Sequence, residues 1–161
     1  MKSKLAGITL LESLLYLALF GVVFISMIQF VFSISDNNLI SDMNNEIKKA
    51  GIFLNEHLDD SFYRSTSVDT ANSTFNSDNG VLRFNLPSGS LQYNLANGRV
   101  NFTEDSVNYF LTNTDLHIDQ MLVERINNSN GEIEGVRITF TISSVQRPAI
   151  SDSFVNSYVY K

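Results

Sequence analysis

Between Glu12 and Asp36 no charged side chain appears, and the 23 residues from Ser13 to Ser35 are predominantly apolar. As an α-helix rising about 1.5 Å per residue, this run reaches about 35 Å, more than a hydrocarbon core of about 30 Å. The pattern predicts a membrane-spanning helix. Beyond it, Ile40, Met43, Ile47, Ala50, Leu54, Leu58 and Phe62 recur at spacings of three or four, the stripe of an amphipathic helix. One helix is therefore expected from about Thr9 to about Ser61. Asp42, Asn45, Glu46, Lys49 and Glu56 form its polar face, and Gly51 is expected to weaken it and permit a bend.

From Tyr63 to Gly80 the chain is rich in Ser, Thr, Asn and Asp and reads as a long loop. Period-two alternation follows in Leu82, Phe84 and Leu86, in Leu91, Tyr93 and Leu95, in Val100 and Phe102, and in Val107, Tyr109 and Leu111. Turns are expected at Pro87-Ser88-Gly89 and at Ala96-Asn97-Gly98, where Asn-Gly suits the positive φ angles of a tight hairpin. The result is an antiparallel meander. From Asp115 to Ile126 the alternation shifts from Leu116 and Ile118 to Met121 and Val123, which predicts a register break or bulge. Asn127-Asn128-Ser129-Asn130-Gly131 reads as a turn. Val136, Ile138, Phe140 and Ile142 form the clearest strand, with Arg137, Thr139 and Thr141 outward, and Phe154 to Tyr160 supplies a short edge strand after Pro148. The fold class expected is α+β: a long N-terminal helix, transmembrane and then amphipathic, packed on a C-terminal antiparallel β-sheet.

Charge sets the expected orientation. Lys2, Lys4 and the initiator amine precede the span, whereas Asp36, Asp42 and Glu46 are the first charges after it. The positive-inside bias then keeps the N-terminus in the cytoplasm and exports the head. Glu12 is a carboxylate at the threshold of an apolar run, where burial is costly enough to require a partner or a task.

Gly7-Ile8-Thr9-Leu10-Leu11-Glu12, behind a short basic leader and ahead of the span, resembles the class III signal of type IV pilins and pseudopilins. The resemblance implies that a prepilin peptidase cuts between Gly7 and Ile8 and methylates Ile8 as the new N-terminal residue. It also implies that Glu12 meets the N-terminal amine of a neighbouring subunit during filament assembly. Phe is usual where this chain has Ile8, a position that mainly needs bulk and apolarity. Gly21 falls where many pilins have a helix-loosening Gly, and Gln29 where major pilins often have Pro, so a minor pilin or pseudopilin is the form implied. The Phe110-Leu111-Thr112-Asn113 step, followed by a strand, a polar turn and the strand containing Val136 to Phe140, looks like minor pseudopilins of the J type.

In that reading residues 1–7 are the leader, 8–35 the transmembrane and filament-core helix, 36–62 the amphipathic stem and 63–161 a β-rich head. The implied partners are prepilin peptidase, other pilins or pseudopilins in a filament or tip complex, an inner-membrane assembly platform and the lipid bilayer. The leading role is priming at the filament tip, and a low-copy shaft subunit is the second. Two other readings stay in view. A Sec signal peptide would use Ser33-Ile34-Ser35 as its cut site but has an apolar core of only about 7–15 residues. A signal-anchored exported binding domain or enzyme keeps the span but has no use for Gly7 or Glu12.

The composition narrows the chemistry. The 161 residues leave room for one small head, and a formal charge of −6 opposes strong binding to nucleic acid phosphates, so DNA is not an expected partner. Without cysteine there is no disulfide, thiol catalysis or cysteine-ligated zinc. His57 and His117 would hold zinc only if brought together with a carboxylate such as Asp59 or Asp60, and both read as solvated or capping residues. The pairs Asp59-Asp60 and Glu104-Asp105 are the acidic candidates for calcium, without EF-hand spacing. No Gly-x-Ser-x-Gly elbow or Walker loop occurs, so neither catalysis nor a cofactor is expected. Lys48, Lys49, Arg83, Arg99 and Arg137 read as solvated face residues.

Overall fold

A computed structural model describes residues 3–127 and 133–160. The chain is α+β. Helix α1 spans Ser3–Arg64, and eight strands follow: β1 (Ser67–Val68), β2 (Val81–Leu86), β3 (Gly89–Ala96), β4 (Arg99–Glu104), β5 (Val107–Phe110), β6 (Leu116–Asn127), β7 (Ile133–Ser144) and β8 (Ser151–Val159). By internal contacts the chain divides into two compact units, Met1–Asp42 and Met43–Lys161, and α1 contributes to both. No proline precedes Pro87, so nothing in the sequence removes a backbone donor from α1. The helix ends three residues later than the expected Ser61, where the Ser65 N–H and hydroxyl both bond the Phe62 carbonyl, at 3.1 and 2.7 Å.

Within the first unit, Leu10 to Ile34 presents large apolar side chains around the whole helix, with Leu17 and Phe32 each 71 % exposed. This segment is long and apolar enough to cross a membrane.

The second unit folds two antiparallel sheets against the C-terminal part of α1, where one sheet was expected. The first has order β1-β2-β3-β4-β5 and the second β6-β7-β8. Met43, Ile47, Leu54 and Leu58 are buried, as the stripe requires. Ile47, Leu54 and Leu58 share one core cluster with Phe84 and Tyr93 of the first sheet and with Ile138 and Phe140 of the second. Gly51 has a role other than bending. A methyl group there would collide with the Phe154 ring of β8, so the missing side chain lets strand and helix approach closely.

The meander forms as expected. Asn97 and Gly98, with φ of 54° and 67°, make the β3–β4 turn. The β4–β5 turn uses Asp105 and Ser106, with φ of 50° and 69°, so half of the acidic pair Glu104-Asp105 is hairpin geometry that lacks a glycine signal. In β6 the pairing passes from Ile118↔Ile142 to Gln120↔Thr141, leaving Asp119 as the predicted bulge. The bulge moves the inward set from Leu116 and Ile118 to Met121 and Val123, all buried. Val136, Ile138, Phe140 and Ile142 face inward and Arg137 outward.

Three expectations need correction. The 63–80 segment is not a free loop: β1 pairs with β2, and Thr74 bridges Val81. Residues 76–80 also bond to β6, through Asn76 N–H to the Val123 carbonyl, Met121 N–H to the Asp78 carbonyl and Gly80 N–H to the Met121 carbonyl, each at 2.8 Å. These main-chain bonds carry no side-chain periodicity, so the pattern could not reveal them. Val107 and Tyr109 do not face the core: β5 is an edge strand with all four residues exposed. The last strand is nine residues long and starts at Ser151 rather than Phe154. The expected turn at Asn127 to Gly131 falls largely on residues 128–132, outside the described residues.

Two core substitutions check this packing. Phe140→Ala should destabilise the head by about 3–5 kcal/mol, because the ring is 1 % exposed. Gly51→Ala should also destabilise it, by about 1–3 kcal/mol, because overpacking against Phe154 outweighs the gain of about 1 kcal/mol in helix propensity. Urea unfolding of the full chain in detergent micelles, followed by near-UV tyrosine signals, measures both. A more stable Gly51→Ala protein would refute the close approach.

Candidate functional site

The N-terminal candidates lie on one helical segment. Gly7 and Ile8 fall within α1 as backbone, and the Ile8 side chain is outside the described residues. Glu12 is exposed on the helix, and the Tyr16 hydroxyl donates to its Oε1 at 3.2 Å. Residues four apart share a helix face, so this contact follows from spacing alone and could have been read from the sequence. A neutral donor of this kind satisfies one carboxylate oxygen without supplying a positive charge. On the same segment the Ser26 hydroxyl bonds the Val22 carbonyl at 2.9 Å, which satisfies a polar group without water. A Cβ added at Gly21 would meet nothing within 4 Å, so packing inside this chain does not impose glycine there.

In the head, the residues considered for metals and nucleic acid mostly have protein partners. His57 is part-buried rather than fully solvated. Its Nδ1 lies 2.6 Å from the Tyr93 hydroxyl, and its ring packs edge-on against Phe102 with centroids 4.6 Å apart. Tyr93 and Ser61 are fully buried, with hydroxyl oxygens 2.5 Å apart. This Ser-Tyr-His chain ties α1 to β3, with Ser61 and Tyr93 buried and His57 part-exposed. Burial pushes the Tyr93 phenol well above its ordinary value, so it remains a hydrogen-bond donor. Partial burial also holds the His57 imidazole below its usual 6.5, against the opposing pull of Asp60.

His117 sits elsewhere, exposed, with Nε2 3.8 Å from Asp119 and its ring over Gly98, where a Cβ would collide with it. The structure therefore does not join the two histidines into one contact network. Asp59 accepts a hydrogen bond from Tyr158 at 2.8 Å. Asp60 and Glu104 both pair with Arg64, at 3.0 and 2.7 Å. Among the described residues no group of three His, Asp or Glu side chains is placed to hold a metal ion.

The strand arginines are less solvated than expected. Arg83 lies 3.5 Å from Asp69 and donates to Ser90 at 2.8 Å, and Arg99 donates twice to the Thr112 carbonyl while covering the Phe110 ring at 4.2 Å. Arg137 is exposed, as expected. Comparison with protein-family models gave no match, and comparisons with curated proteins and with solved structures gave none either.

The His57 environment predicts a pH dependence. The folded state favours the neutral ring, so the unfolded chain binds more protons near pH 6.5. The stability contribution should be complete above about pH 6.5 and be lost as pH falls through the lower folded value. His57→Gln should flatten this part of the urea-midpoint profile between about pH 5 and 7. An unchanged slope in the variant would show that the imidazole stays solvated.

Proposed function

We propose that this chain is a minor pilin or pseudopilin, cleaved and N-methylated by a prepilin peptidase and working in the assembly or priming of a type IV, competence or secretion filament. The single observation that carries the proposal is the order Gly7-Ile8-Thr9-Leu10-Leu11-Glu12 at the start of an uninterrupted apolar helical run. A signal-anchored binding domain or enzyme requires the run but not the motif. In the proposed precursor the N-terminus is cytoplasmic and the head is exported, across a single-pass inner or cytoplasmic membrane. Assembly draws the apolar helix into a filament with other pilins at the assembly platform. DNA has no part in the proposal, because the acidic head opposes phosphate binding.

The chemistry assigned to Glu12 follows from what surrounds it. Cleavage after Gly7 creates a new amine on Ile8, whose reference pKa of about 7.7–8.0 keeps it mainly cationic at neutral pH. In a low-dielectric setting that cation attracts a carboxylate strongly. The Tyr16 hydroxyl supplies Glu12 with a hydrogen bond but no charge, so an amine from a neighbouring subunit remains the group that compensates it. A pair of this kind would help to set the axial step between adjacent helices.

Two experiments test the proposal. Mass spectrometry of the mature chain should find a methylated Ile8 at its N-terminus, and Gly7→Leu should leave the leader attached. A mature chain beginning at Asp36 would favour the signal-peptide reading. Glu12→Gln should keep insertion and cleavage while lowering incorporation into filaments or the priming complex, measured beside the wild type. Normal incorporation of the Gln variant would reduce Glu12 to a tolerated interfacial acid.

A further inference from the structure

The head contains a cavity that neither its core nor the N-terminal motif explains. It has a volume of about 520 Å3 and lies between the last turns of α1 and the end of β8, lined by Asp59, Phe62, Tyr63, Ser157, Tyr158 and Val159. Asp59, Phe62 and Tyr63 occupy positions i, i+3 and i+4, so one helix face presents a carboxylate and two aromatic rings together. Tyr63 is 88 % exposed, an unusual position for an aromatic side chain without a partner in its own fold. The rest of the site is fixed. Phe62 packs on Tyr158 and Tyr160 with centroids 4.9 and 4.5 Å apart, and the Tyr158 hydroxyl holds Asp59 at 2.8 Å. Burial and the adjacent Asp59 carboxylate both keep that phenol protonated and donating.

The charges around the cavity favour a cation. Asp59 lines the cavity with the neutral Tyr158 phenol as its hydrogen-bond partner, the carbonyl end of α1 adds the negative pole of the helix dipole, and Asp60 is already engaged by Arg64. Of the two nearby arginines, Arg64 is neutralised between Asp60 and Glu104. Arg137, on the outer face of β7, is directed to Ser157, to which it donates at 3.4 Å. A carboxylate beside clustered aromatic rings is an arrangement that captures ammonium and guanidinium groups.

The position of the wall indicates how such a group would arrive. Ser157 and Val159 belong to β8, which is the edge of its sheet, nine residues long and carrying a single acid with no proline, lysine or arginine. The opposite edge of that sheet, β6, is occupied by the bonds from residues 76–80. An extended segment laid along the β8 edge would bring its side chains to Asp59. We infer that this cavity is a docking site for a lysine or arginine side chain presented by a neighbouring filament subunit. The identity of that partner rests on the proposed function, whereas the cation specificity rests on the cavity alone.

The test has two arms. The full-length chain in detergent micelles, with tyrosine and phenylalanine rings labelled, is titrated by NMR with N-acetyl-lysine methylamide and with its neutral counterpart N-acetyl-norleucine methylamide. Saturable shifts at Tyr63 and Tyr158 are expected with the lysine probe only. Tyr63→Ala, at a side chain exposed enough to be dispensable for folding, should weaken binding by about fivefold or more, and Tyr63→Phe should restore most of it. No response to lysine, or an equal response to norleucine, would overturn the cation site. In the second arm, incorporation of Tyr63→Ala beside the wild type should fall. Normal incorporation of that variant, with Glu12→Gln still defective, would overturn the docking role and leave the filament reading standing. Normal incorporation of both variants, with lysine binding intact, would overturn the neighbouring subunit as the partner.

Discussion

The head depends on the burial of one helical stripe. Ile47, Leu54 and Leu58 are 1 % exposed or less, and both sheets turn their apolar faces towards them. Either sheet alone would leave its apolar face in water. The helix removes that exposure for both sheets at once. Gly51 sets how close the second sheet can come, and the Ser61-Tyr93-His57 hydrogen bonds fix how the first sheet sits. Polar groups and packing therefore specify the same arrangement from two sides of α1.

Much of this was legible in the sequence because side-chain periodicity reports burial directly. The stripe from Met43 to Leu58, the inward residues of β7 and the register break at Asp119 all alter which residues meet water, so all three left a pattern. What stayed hidden lacks such a signature. The bonds between residues 76–80 and β6 are main-chain to main-chain, and the Asp105-Ser106 turn achieves positive φ without glycine. Two sheets rather than one could not be inferred from strands that alternate equally well in either arrangement. Val107 and Tyr109 misled because an exposed apolar edge strand alternates like a buried one.

The candidate site divides in the same way. The leader-to-Glu12 motif is linear and could be read residue by residue, and even the Tyr16 contact follows from a spacing of four. The head chemistry needed coordinates. Arg64, paired with Asp60 on its own helix, reaches Glu104 across 40 residues of chain, and Asp59 finds Tyr158 across 99. Tyr158 and Glu104 are partners that no local pattern could name, whereas Asp60 meets Arg64 at a spacing of four on the same helix. The Asp59–Tyr158 and Arg64–Glu104 contacts tie the helix end to both sheets.

The bonds from residues 76–80 to β6 have a kinetic meaning as well as an architectural one. They tie the β1–β2 segment of the first sheet to β6 of the second, so the sheets cannot separate without breaking β6 contacts that also support Met121 and Val123 in the core. A seam of this kind raises the free energy of partial opening towards that of global unfolding. The head would then respond to pulling or to protease as one cooperative body, with no weak boundary at which a single sheet could peel away.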